Sequence, residues 1–133
     1  MNDHQIETAR ICLEGSENNR LTFPQFVSSL MEAGFESYAI DFRRAVATYY
    51  LPDGTYVELP SHRVATPTAA IFDVAAIQTA IREAQQLVPG YTYRGFCEKA
   101  AAAGCASYIV SFPGRQALYI GRTAETHVER FPD

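Results

Sequence analysis

The chain has 133 residues, 47% of them apolar and 20% charged, with a net charge of −4. That is one domain's worth of sequence, with enough apolar side chain to build a core without a metal or a disulfide framework. The acidic balance argues against general affinity for nucleic-acid phosphates or anionic lipid, and no stretch reaches the roughly 18 apolar residues of a transmembrane helix.

Ten of the eleven basic residues are Arg; the other is Lys99. Cys12, Cys97 and Cys105 are an odd set in no framework spacing, which fits a reducing compartment. Met1 to His4 carries no basic or apolar leader pattern, and a cytoplasmic protein is the expectation.

In chain order, Asp3 to about Glu14 reads as a helix capped by Asp3, followed by a loop over Gly15 to Asn19. Thr22 starts a second helix, with Gln25 completing a capping box and Gly34 ending it. Tyr38, Ile40 and Phe42 alternate with polar or small residues as in a half-buried strand. A second strand spans Ala45 to Leu51 and a third Thr55 to Leu59, joined by the Pro52-Asp53-Gly54 turn. After a linker over about 60–70, Asp73 to Leu87 is a helix. Thr92 to Ala103 is another, stopped by Gly104. Strands follow over Tyr108 to Phe112, Gln116 to Ile120, and Ala124 to about Arg130.

The second series echoes the first at a constant offset of seventy residues. Thr22-Phe23-x-x-Phe26 returns as Thr92-Tyr93-x-x-Phe96, and Ala33-Gly34-x-x-Ser37-Tyr38 as Ala103-Gly104-x-x-Ser107-Tyr108. The reading is one domain over 1–133, with repeats at about 2–60 and 72–132. Each repeat runs helix, helix, strand, strand, strand. Short connections favour antiparallel pairing, so the expected fold is an α+β two-layer sandwich with a mainly antiparallel sheet. Whether the halves share one sheet stays open at this stage.

Positions kept in both halves read as fold requirements. Tyr38 and Tyr108 are the exception, because a buried phenol needs a partner and the pair can line a cleft between the halves. Cys97 and Cys105 stand opposite Val27 and Phe35 and read as core; Cys12 stands opposite Arg82 and reads as more exposed. Positions that differ are the candidates for added function. Asp41, Arg43 and Arg44 stand where the other half has Ser111, Pro113 and Gly114. In the last hairpin, Arg122 is a candidate anion contact, and Gly114-Arg115 a second one. Glu125, His127 and Glu129 alternate along one strand face, so Glu125 with His127 is a candidate acid–base pair. No metal-ligand spacing, P-loop or nucleophile motif is present, and no metal or cofactor is expected.

The segments Leu21-Thr22-Phe23-x-x-Phe26 with Ala33-Gly34, Tyr91-Thr92-Tyr93-x-x-Phe96 with Ala103-Gly104, and the ending Phe131-Pro132 resemble the YdfO-like bacterial and prophage-encoded family, whose members are often labelled "phage envelope protein". The resemblance implies a compact α+β fold expressed in the bacterial cytoplasm, and carries no established activity. The leading expectation is a non-enzymatic binding, interaction or accessory module with an unidentified protein or small-molecule partner. The alternative is a small-molecule-binding protein or small enzyme using His127, Glu125 and Tyr108. Nucleic-acid binding through Arg43, Arg44, Arg115 and Arg122 ranks third. Exposed outer strands also make homodimerisation an option.

Overall fold

A computed structural model describes residues 1–132. Its helix starts follow from side chains that satisfy the orphan N–H groups of a first turn. Asn2, rather than Asp3, caps α1 (Asp3–Glu17), and Gln5 closes the capping box. The helix also runs past the expected stop. A Cβ on Gly15 would lie 2.7 Å from Leu21 Cδ1, so the glycine lets Leu21 fold back against the last turn. Its carbonyl accepts from the Arg20 and Leu21 N–H groups. The Thr22/Gln25 box opens α2 (Phe23–Glu32). Asp73 caps α3 (Val74–Gln86), and Thr92 caps α4 (Tyr93–Ala102). Gly34 and Gly104 follow their helices with φ of +101° and +92°, the region that glycine enters without steric cost.

The strands are β1 (Ser37–Asp41), β2 (Val46–Tyr50), β3 (Tyr56–Pro60), β4 (Cys105–Ser111), β5 (Gln116–Gly121) and β6 (Thr126–Arg130). They form one antiparallel sheet in the order β3-β2-β1-β4-β5-β6, so the halves share a sheet. At its centre Tyr38 pairs with Val110 and Ile40 with Tyr108, on either side of Ala39–Ile109. Ala39 thus pairs with its own equivalent seventy residues on, and the same offset maps one flanking pair onto the other, which makes the junction symmetric in register. The last strand begins at Thr126 instead of Ala124, because Ala124 takes a positive φ of 67° in the turn and the Glu125 carbonyl closes it by accepting from Gly121 N–H.

The helices cover one sheet face. Phe26 meets Tyr38 edge-on at 5.0 Å between ring centroids, and Phe96 meets Tyr108 at 6.4 Å. Full burial of a large apolar side chain here contributes about 1.5–3 kcal/mol. On the uncovered face Ile109 and Val128 remain 41% and 45% exposed. Cys12, expected nearer the surface, is buried with the other two cysteines: α1 lays it against α2, whereas Arg82 at the matching position of α3 faces outward. The linker is tied down as well. Ala69 and Asp73 donate to the Ala101 and Ala103 carbonyls, and the Glu98 carboxylate takes the Ala65 and Thr66 N–H groups.

Candidate functional site

Between the helices and the centre of the sheet lies a cleft of about 480 Å³. Its walls come from the α1–α2 loop, the α3–α4 loop, and the inward residues of β1, β4 and β5, with the end of β6 at one side. Six of the eight tyrosines line it: Tyr38, Tyr49, Tyr91, Tyr93, Tyr108 and Tyr119. The alternation of β1, β2, β4 and β5 places four of these rings on the helix-facing side; Tyr91 in the α3–α4 connection and Tyr93 at the start of α4 supply the other two.

The interior is neutral. Burial pushes the Tyr38, Tyr93 and Tyr108 hydroxyls well above the ordinary phenol value, and Tyr91 up to about 12. Burial likewise raises the Cys97 thiol to about 12 and Cys105 to about 11, so neither is a thiolate nucleophile near neutral pH. The Tyr93 and Tyr108 hydroxyls meet at 2.7 Å. The Tyr49 hydroxyl is buried with no partner among the described residues. Tyr108→Phe strands a buried Tyr93 hydroxyl and is expected to cost about 1–3 kcal/mol. Adding Tyr93→Phe then costs less than a second independent loss, a coupling that a double-mutant cycle by urea denaturation measures.

The candidate residues divide between cleft and surface. Tyr38 and Tyr108 come together in the cleft, with ring centroids 6.2 Å apart. Asp41 makes a turn: Oδ1 accepts from the Arg43 and Arg44 N–H groups at 2.9 and 3.0 Å, and Oδ2 from Arg44 Nε at 3.1 Å. Ser111 Oγ does the same work in the other half, accepting from Gly114 N–H. The contrast between those segments is therefore two chemistries for one turn. Arg122 donates to the Thr68 carbonyl and fixes the linker. Arg115 lies in the turn after β4, at the opposite end of the sheet from Arg43, Arg44 and Arg122, so no basic stripe forms. Glu125 engages Thr123 within its own turn. His127 instead pairs with Glu129, Nε2 to Oε2 at 3.1 Å, and stacks on Tyr119. Glu129 lines the cleft, and His127 stands beside it.

A second polar cluster went unread in the sequence. Glu17 Oε2 accepts from His62 Nδ1 at 2.9 Å and from the His62 backbone N–H at 2.7 Å. Arg94 Nε donates to the Glu17 carbonyl, and the His62 ring meets Tyr93 edge-on at 6.2 Å. His62 Nε2 is buried without a partner among the described residues. Burial pushes the Glu17 carboxyl up, but the His62 hydrogen bonds and charge, with Arg94, outweigh it and hold the group below its usual value. The seventy-residue offset contained the signal. Glu17, His62 and Tyr93 match Leu87, Pro132 and Phe23 in the other half, and all three of those line the cleft. One side of the molecule is thus plugged by a hydrogen-bonded dyad. The corresponding side presents an apolar rim where Phe23 and Phe131 meet edge-on at 5.8 Å, with Phe23 and Leu87 about half exposed.

Among the described residues, no group of three or more His, Cys, Asp or Glu is placed to hold a metal ion, and no helix is long and apolar enough to cross a membrane. No curated protein matches the chain. A family model described as a protein of unknown function, DUF1398, matches residues 5–128. That span takes in α2, α3 and α4, α1 from Gln5 onward, and the cleft's tyrosines, and the chain belongs to the DUF1398 family.

Proposed function

We propose that this protein is a binding module for a small, mainly apolar molecule held in the tyrosine-lined cleft. The carrying observation is the cleft itself. Its volume of about 480 Å³ lies within the roughly 300–1,000 Å³ typical of small-molecule sites, and its walls are aromatic and aliphatic with a few hydroxyls to orient a ligand. The exposed rim of Phe23 and Leu87 supports entry from that side. The alternative, an acid–base enzyme using His127 and Glu125, has less support, because Glu125 is engaged with Thr123 and the partner of His127 is Glu129.

The same proposal takes 1–133 as one domain formed by internal duplication, with the cleft along the axis between its halves. The constant offset and the palindromic strand order support it. Within the family, the YdfO-like resemblance belongs to this proposal, as does a cytoplasmic setting suited to three unpaired, buried thiols.

The test is a titration with N-phenylnaphthylamine, a neutral aromatic dye whose emission rises in apolar surroundings. Saturable binding is expected. Ala84, on the cleft wall, becomes the obstruction in Ala84→Trp, which is expected to weaken binding by about tenfold or more. Ala84→Leu, a smaller insertion, serves if the Trp variant melts early. Binding unchanged in both variants would remove the cleft from the account.

A further inference from the structure

The wall of the cleft holds more hydroxyl protons than groups to accept them. Tyr93 and Tyr108 both line it, and their hydroxyls meet at 2.7 Å. Each hydroxyl has one proton and two lone pairs. Whichever of the two donates, one proton lies between them, and the other has no oxygen or nitrogen acceptor among the described residues. The Cys97 thiol beside Tyr93 is a weak acceptor. Glu129, the one carboxylate on the wall, is held by His127 at 3.1 Å. Tyr49, on the same wall, adds a buried hydroxyl with no partner among the described residues. Burial keeps these phenols protonated.

The hydroxyl pair is a product of the divergence between halves. Tyr108 has its counterpart in Tyr38, but Tyr93 stands where the other half has Phe23. Phe23 meets Phe131 in the apolar rim instead of a second phenol. Aromatic rings flank the pair: Tyr108 lies 5.3 Å from Tyr119 and 6.2 Å from Tyr38 between centroids. In such a pair the hydroxyl that accepts also carries the spare proton, and accepting polarises it to donate more strongly. A molecule on those rings with no acceptor leaves the proton buried and unpaired, which is unfavourable. A molecule that only donates meets the lone pairs and still leaves the proton unplaced. A carbonyl oxygen, with two lone pairs and no proton, takes it.

Resting on the cleft reading above, we infer that the bound molecule is an uncharged carbonyl compound, in class a ketone, aldehyde, ester or quinone. Its oxygen accepts from the Tyr93–Tyr108 hydroxyl pair, and its apolar body lies on the rings of Tyr38 and Tyr119. The low-polarity wall accommodates the neutral body, and the one spare proton fixes which end of it points inward.

The experiment measures two competitors of one shape, 2-acetylnaphthalene and 2-isopropenylnaphthalene, by their displacement of N-phenylnaphthylamine from the full chain. Tyr93→Phe with Tyr108→Phe removes both hydroxyls together and strands neither, so the fold is retained. This double variant is expected to weaken the ketone about tenfold and to leave the hydrocarbon within about twofold. In the wild type, the carbonyl stretch of the bound ketone is expected at lower wavenumber than in hexane, and in the double variant near its hexane position. An unchanged ratio of the two affinities in the double variant, or an unshifted carbonyl band in the wild type, overturns the carbonyl inference. If the double variant melts early, the wild-type band decides. Ala84→Trp reports separately on the cleft: if it blocks the dye while the ketone behaves like the hydrocarbon, the cleft reading stands alone. If the dye does not bind, or neither Ala84→Trp nor Ala84→Leu weakens it, both readings fall.

Discussion

Gly104→Ala is expected to destabilise the protein by about 3–5 kcal/mol, and Gly34→Ala at the matching position by only about 1–2 kcal/mol. Both glycines end a helix at positive φ, so both variants suffer the strain of a left-handed alanine. The difference lies in the neighbours. A Cβ on Gly34 would meet the flexible Gln5 side chain at 3.4 Å. A Cβ on Gly104 would stand 2.2 Å from the Ile71 carbonyl oxygen and 2.9 Å from Phe72 Cα. Those are backbone atoms of the linker, which is pinned to the end of α4 by the Asp73 N–H to Ala103 carbonyl bond of 2.8 Å. Relief requires that strap to move. Urea denaturation of the two variants measures the contrast, and equal losses would mean that the linker does not approach Gly104 in this way.

Glu17→Ala is expected to cost about 2–4 kcal/mol, because it leaves both a backbone N–H and the His62 ring without their partner in a buried site. Glu17 and His62 side chains are only 11% and 10% exposed. The effect carries a pH signature. The folded Glu17 carboxyl is held below its ordinary value, so its contribution is complete above the unfolded value of about 4.3 and is lost as pH falls through the lower folded value. The stability gap between wild type and Glu17→Gln should therefore narrow as pH falls below that unfolded value. Asp41 and Glu98 are lowered too, but act equally in both proteins and cancel in the difference. A gap that fails to narrow below a pH of about 4.3 would contradict the assigned hydrogen bonds.

Local chemistry was legible in the sequence. The Thr22/Gln25 box, the glycines after α2 and α4 and the period-two β1 each depend on residues a few positions apart, and they form within one residue of where they were read. The constant offset anticipated two halves of like order, and the shared sheet follows once Tyr38 pairs with Val110 and Ile40 with Tyr108. Legibility ended where contacts cross long separations. Nothing near Gly104 announces the Ile71 carbonyl, and nothing near Glu17 announces His62, 45 residues away. Across the offset, one structural task can also have two solutions. Asp41 and Ser111 both close a turn, which gives that contrast a structural explanation, whereas the exchange of Leu87, Pro132 and Phe23 for Glu17, His62 and Tyr93 separates an apolar rim from a polar plug.

The central claim is that the tyrosine-lined cleft, and not the exposed sheet face, is the binding surface. Amide and methyl shift mapping on addition of N-phenylnaphthylamine tests it most directly. Perturbations are predicted at Ala84, Tyr91, Ala117 and Leu87, around the cleft, with Ile109 and Val128 on the open face unmoved. Shifts centred on Ile109 and Val128, or none at saturating dye, would contradict the account.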